Sequence, residues 1–128
     1  MLVDPDTILP SQDYLKPGTV KFILACISNG ESEKLPPTPV VRADSTGRLV
    51  AIDGHNLIAV MSRLGKKIDV HIAKSKTDKL PDKSGANTSR DKDLSDRYDS
   101  VLSDQGKVSA NGINSFSDLI AKYPDLFD

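Results

Sequence analysis

The sequence is poor in the residues that nucleic-acid surfaces need. It contains no Trp, and only three Tyr and three Phe among 128 residues. So few aromatic rings exclude an extended platform on which successive bases could stack. Lysine and arginine number 17 against 18 acidic residues, so no general basic field would attract a phosphate backbone. DNA is therefore a weakly supported partner, limited to any small basic patch that the fold assembles.

Cysteine and long apolar runs are also scarce. The single cysteine, Cys26, excludes an internal disulfide and is typical of a reducing compartment. It falls in a helical apolar pattern, which predicts a buried and inert thiol. No apolar run approaches the roughly 20 residues of a membrane span, and the first residues lack a signal-peptide pattern. We therefore expect a cytoplasmic protein of one domain, with a modest core and no membrane partner.

Residues 49–64 organise the rest of the chain. Residues 49–52 form a short, continuous apolar run, which predicts a buried strand. Four apolar residues then recur at helical spacing: Leu57, Ile58, Met61 and Leu64. Gly65 follows as a helix C-cap. The corner Asp53-Gly54-His55-Asn56 joins strand to helix, and the backbone N–H groups at such a helix start suit an anion or a phosphate.

Other local signals build a compact α+β unit around this corner. Short strands are predicted at residues 2–3 and 8–9, a helix over residues 19–28 with Thr19 as its N-cap, and a strand over residues 68–73. A hairpin is predicted where a strand beginning at Val40 meets the turn of residues 44–47 and returns over residues 48–53.

The composition changes after Ala73. We divide the chain into a core (residues 1–75), a polar linker or loop (residues 76–90) and a C-terminal helical extension (residues 91–128). The extension contains two apolar faces at helical spacing: Leu94, Tyr98, Val101 and Leu102, then Phe116, Leu119, Ile120 and Tyr123. Ser115 and Asp118 form a capping-box pattern. Neither helix is long enough to be stable alone, so the extension must dock on the core or on a partner.

The order of these elements resembles the ParB/sulfiredoxin-like domain over about residues 1–75. The resemblance is carried by Pro39-Val-Val-Arg, by the stretch Gly47-Arg-Leu-Val-Ala-Ile-Asp-Gly-His-Asn, and by the Ala-containing helix and strand that follow. Residues 8–12, Ile-Leu-Pro-Ser-Gln, resemble the Pro-Thr-Gln segment of the family. The resemblance implies a small mixed β-sheet flanked by helices.

The resemblance also implies a ligand and a site. Members hold nucleotide phosphates at this corner: CTP in chromosome-partitioning proteins, ATP in sulfiredoxins and ADP in a free-serine kinase. Gly54, His55 and Asn56 would lie against the phosphates of a nucleotide bound with Mg²⁺, and Asp53 would end the strand beside them. Gln12 and Lys16 would approach from the N-terminal segment.

Two departures from the family pattern change the expected chemistry. Leu57 stands where the family carries the arginine that grips phosphate with two parallel hydrogen bonds. His55 stands where sulfiredoxins have their cysteine, which excludes sulfiredoxin chemistry. Six cations elsewhere are candidates for the missing charge: Lys16, Arg42, Arg48, Arg63, Lys66 and Lys67. We expect binding of a nucleotide or another phosphate-bearing ligand, with catalysis weak or lost.

Two alternatives remain open from the sequence. In the first, the chain is a ParB-like nuclease or a small phosphotransferase, with His55 and Asp53 as an acid–base pair and His71 as a third ligand if they bind a metal. The competing interpretation is that Asp53 only caps the helix and that His55 lies in its first turn without a chemical role. In the second, the fold is a non-enzymatic interaction module whose C-terminal helices recruit a partner.

Overall fold

The computed structural model describes residues 1–80 and 88–127. The strands in this part are β1 (Leu2–Val3), β2 (Ile8–Leu9), β3 (Val40–Ala43), β4 (Leu49–Asp53), β5 (Ile68–Asp69) and β6 (His71–Ile72). The helices are α1 (Pro17–Ser28), α2 (His55–Arg63), α3 (Thr88–Arg97), α4 (Ser100–Ala110) and α5 (Phe116–Ala121). A helix long and apolar enough to cross a membrane is not found among them.

The principal sheet is mixed, with strand order β2-β4-β3-β6. Strands β3 and β4 pair antiparallel, whereas β2 pairs with β4, and β6 with β3, in parallel. The antiparallel pair is the predicted hairpin. Its turn is held by the Asp44 carboxylate, which accepts hydrogen bonds from Thr46 N at 2.8 Å and Arg48 N at 3.0 Å. The α+β class and the small mixed sheet with flanking helices are confirmed.

Helices cover both faces of this sheet. Alternate strand residues belong to two different apolar clusters because successive side chains point to opposite faces. Ile8, Val41 and Ala51 pack with residues of α1, α2 and α5. The opposite face, including Val50 and Ile52, packs with Leu94 of α3 and Val101 of α4. Burial on both faces explains the continuous apolar run of residues 49–52. Helices α3, α4 and α5 thus share their core with residues 1–75.

Three local predictions were wrong. Helix α1 begins at Pro17 rather than at Thr19, because proline is well suited to the first helical position. The strand predicted over residues 68–73 is divided, since β5 pairs with β1 in a separate two-stranded sheet and β6 pairs with β3. The apolar face of residues 94–102 spans two helices, because the chain turns between Arg97 and Ser100.

Candidate functional site

The strand-to-helix corner depends on Gly54. Strand β4 ends at Asp53, which is half-buried, and Gly54 has φ +93° at the N-cap of α2. The N-cap residue is therefore Gly54 rather than Asp53. A Cβ atom at position 54 would lie 2.7 Å from Pro39 Cβ, far inside van der Waals contact. Both the backbone conformation and the approach of Pro39 thus require glycine.

His55 begins α2 and is buried, with 3% of its surface exposed. Its Nε2 accepts a hydrogen bond from Ser11 N at 3.0 Å, and its ring lies 5.6 Å from the Phe116 ring between centroids. Accepting at Nε2 places the proton of the neutral ring on Nδ1. Burial, and secondarily the positive charge of Arg97, lower the pKa of His55 to about 3. Near pH 7 the imidazole is therefore neutral and acts as a hydrogen-bond acceptor within the fold.

Residues 11–16 form a segment, here called the N-terminal strap, that runs past the start of α2. Three of its backbone N–H groups donate to side chains from distant parts of the chain. Ser11 N donates to His55 Nε2, Leu15 N to Tyr123 Oη at 3.0 Å, and Lys16 N to Asn56 Oδ1 at 2.8 Å. Two predicted site residues, His55 and Asn56, thus hold the strap in place.

Arg97 of α3 reaches this corner. Its Nη1 donates to Ile52 O at 2.6 Å and its Nη2 to Ser11 Oγ at 3.4 Å. The Ser11 hydroxyl in turn donates to Ala51 O at 2.7 Å. A guanidinium is therefore anchored where the strap meets β4, while Leu57 is buried in the core. Sequence reasoning missed Arg97, because it lies 86 positions from Ser11 and no local pattern indicates that contact.

Of the six cations proposed from the sequence, only Lys16 belongs to the strap beside the corner. Arg42 stacks over the Tyr98 ring, 4.0 Å from its centroid, and Arg48 pairs with Asp44 in the hairpin turn. Arg63, Lys66 and Lys67 lie at the C-terminal end of α2, away from the corner. Lys16 contributes its backbone N–H to Asn56.

A cleft of about 620 Å³ opens between the strap and helices α3 and α4. Within the part of the chain that the structure describes, the cleft is lined by Ser11, Gln12, Asp13, Tyr14, Asp93, Arg97, Asp104, Lys107, Val108 and Asn111. This volume lies in the range of small-molecule and cofactor sites. Ser11 and Arg97 belong both to the cleft and to the corner, so they connect the two.

The structure brings together only part of the predicted site. Gln12 lines the cleft, and its Nε2 donates to Tyr14 O at 3.0 Å. Gly54 and Asn56 lie at the corner, outside the lining residues described above. His71 lies on β6 with its Nε2 3.6 Å from Asp78 Oδ2, so it pairs with a different region. Within residues 1–80 and 88–127, no three His, Cys, Asp or Glu side chains are grouped to hold a metal ion.

The geometry therefore combines a buried imidazole, an anchored guanidinium and an adjoining cleft lined by both acidic and basic side chains. The residues that form these features belong to three separate parts of the sequence: the strap, the β4–α2 corner and the C-terminal helices. No family model, no curated protein and no solved structure matches the chain.

Proposed function

We propose that this protein binds a nucleotide or another phosphate-bearing ligand in the cleft beside the β4–α2 corner, and that it does so without efficient catalysis. The proposal includes a ParB/sulfiredoxin-like fold for residues 1–75. In its support, a hairpin, a Gly-containing corner, a helix and a strand follow one another in the order of that family. The observation that carries the ligand proposal is the position of Arg97.

Arg97 is oriented before any ligand arrives. Ile52 O and Ser11 Oγ accept from its two terminal nitrogens, which fixes the plane of the guanidinium at the edge of the cleft. A guanidinium has five N–H donors in a rigid fork that matches the oxygen spacing of phosphate. Holding this group in advance lowers the entropic cost of binding an anion. Lys107 of α4 adds a second positive charge to the same cleft.

His55 gives little support to the enzymatic alternatives. An acid–base residue must reach the reacting proton and must have a pKa near the working pH. The His55 ring is buried, its Nε2 accepts from Ser11 N, and its pKa lies at about 3. We therefore favour ligand binding over a nuclease or a phosphotransferase that uses His55.

The interaction-module alternative also loses its main argument. Leu94, Val101 and Leu119 bury their apolar side chains on the sheet and on the other helices of the same chain. A partner is therefore not required to cover these faces. Binding to a small ligand remains the better-supported proposal.

Calorimetric titration of the full chain with CTP, ATP, ADP and pyrophosphate, each with and without Mg²⁺, tests the proposal. We expect at least one of them to bind with a Kd below about 1 mM, equivalent to about 4 kcal/mol. Lys107→Gln should weaken that binding, because it removes an exposed charge from the cleft without disturbing the core. Lys92→Gln, on the exposed surface of α3, is the matched control and should bind normally.

An absence of heat and of any thermal shift with all four compounds at millimolar concentration would contradict the proposal. Equal weakening by Lys107→Gln and Lys92→Gln would also count against the cleft as the site. Circular dichroism of each variant establishes that the fold is retained.

A further inference from the structure

We propose that the ligand of the cleft is a soluble phosphate monoester that also carries an amine. This inference rests on the proposed function and narrows the class of ligand. It follows from the charges that line the cleft, which are of both signs and are arranged on three different elements.

Each helix contributes one acid and one base. Asp93 and Arg97 lie four positions apart on α3, and Asp104 and Lys107 lie three positions apart on α4. Both spacings place the two side chains about one turn apart on the same helix face. Asp13 of the strap adds a third carboxylate. In the described part of the chain, none of these five side chains forms an ion pair with another residue.

A phosphate group alone would leave this arrangement unbalanced. Three carboxylates and two cations give the lining a net charge of −1, and a phosphate monoester adds about two negative charges. Arg97 and Asp104 are both half-buried, so water screens their charges less than it screens those of fully exposed groups. A ligand ammonium near the carboxylates would offset the repulsion that they exert on the phosphate.

A divalent cation is a less suitable source of that positive charge. Mg²⁺ and Ca²⁺ require several oxygen ligands that converge on one point. The carboxylates of the cleft come from the strap, from α3 and from α4, and in residues 1–80 and 88–127 no group of three is arranged to hold a metal. An ammonium has three N–H donors that need no convergent geometry, so dispersed carboxylates and water can accept from it.

Tyr14 is compatible with the same class of ligand. It lines the cleft, and 49% of its surface is exposed and so accessible to a ligand. An ammonium over the face of a Tyr ring gains an additional electrostatic attraction. The strap therefore brings a carboxylate, Asp13, and an aromatic residue, Tyr14, to the cleft.

The test compares two compounds that differ only in the amine: O-phosphoethanolamine and ethyl phosphate. Calorimetric titration of the full chain should give binding about tenfold tighter for O-phosphoethanolamine, the ratio that about 1.4 kcal/mol produces. Asp104→Asn should reduce this preference to about threefold or less, because Asp104 is the more enclosed of the helix carboxylates. Asp96→Asn, on an exposed part of α3, is the matched control and should retain the full preference.

Each of the other possible outcomes would overturn a specific part of the proposal. Equal affinity for the two compounds would overturn the amine inference while leaving phosphate binding intact. Binding of neither compound, of no nucleotide and of no phospholipid vesicle would overturn the proposed function itself. Ethanolamine, which lacks the phosphate, is titrated as a third compound, and binding tighter than that of O-phosphoethanolamine would overturn both. Co-sedimentation with vesicles of phosphatidylethanolamine and phosphatidylcholine, without binding of the soluble compounds, would assign the site to a lipid headgroup and reject the monoester.

Discussion

Replacing Gly54 by alanine tests the corner most directly. Two separate costs apply at this position. The residue has φ +93°, which L side chains rarely adopt, and the new Cβ would lie 2.7 Å from Pro39 Cβ and 2.9 Å from Pro39 Cα. Since Pro39 is held by its backbone and its ring, it cannot move aside as a flexible side chain would. We expect Gly54→Ala to destabilise the fold through both effects.

The magnitudes of the two effects can be separated with Gly47→Ala. Gly47 has φ +87° in the hairpin turn, but nothing lies within 4 Å of the position its Cβ would occupy. Its substitution should therefore cost only the backbone term, about 1–2 kcal/mol. Gly54→Ala adds an overpacking term of about 1–3 kcal/mol. The entropic effect of a Gly→Ala change on the unfolded state is common to both variants.

Urea denaturation of both variants and of the parent protein measures these costs, with thermal unfolding as a second readout. The unfolding free energy of Gly54→Ala should lie about 1–3 kcal/mol below that of Gly47→Ala. The corresponding difference in Tm is about 4 °C for each kcal/mol in a domain of this size. Equal destabilisation by the two substitutions would refute the close approach of Pro39.

Three further predictions concern the buried ring, the guanidinium and the last helix. Below pH 6.5 the unfolded chain protonates His55 and the folded chain does not, so the free energy of unfolding should fall by up to about 1.4 kcal/mol per pH unit between pH 6 and pH 3. His55→Gln should retain an acceptor for Ser11 N and flatten this dependence. Arg97→Gln should raise the pKa of His55, measured by NMR titration, and should cost about 1.5–3 kcal/mol through the lost hydrogen bond to Ile52 O. Ser115→Ala should cost about 1 kcal/mol in urea, because Ser115 Oγ accepts from Asp118 N at the start of α5.

Two of these predictions have a control within the chain, and the third has a defined contrary result. His71→Gln changes the other histidine, which is partly exposed, and should keep the pH dependence that His55→Gln removes. A pH profile that is the same for both histidine variants would contradict the buried, neutral state of His55. Ser103→Ala lies on an exposed part of α4 and should be almost neutral. An unchanged pKa of His55 in Arg97→Gln would show that the guanidinium lies too far from the imidazole ring to influence its pKa.

Local signals predicted most of the elements. The hairpin followed from its turn residues, and α2 followed from helical spacing and from Gly65, whose φ of +67° closes the helix. The Ser115 cap of α5 followed from the capping-box pattern. In all these cases the determining contacts lie within a few residues of one another, so the sequence displays them directly.

The assembly of the site could not be predicted in the same way. Whether His55 faces a ligand or the interior depends on Ser11, 44 positions away, and on Phe116. The charge beside the corner comes from Arg97, and nothing in its neighbourhood distinguishes it from the other cations of a polar helix. Such pairings depend on how helices pack over both faces of the sheet, which residue spacing does not encode.

The bond between Leu15 N and Tyr123 Oη joins positions 108 residues apart and has a consequence for biosynthesis. Phe116 and Leu119 are fully buried against elements that the ribosome produces much earlier. A nascent chain that has emerged only as far as residue 110 therefore leaves uncovered the part of α2 that packs against α5. Completion of the interior must await release of α5 from the exit tunnel, and until then the emerging chain offers chaperones an exposed apolar surface.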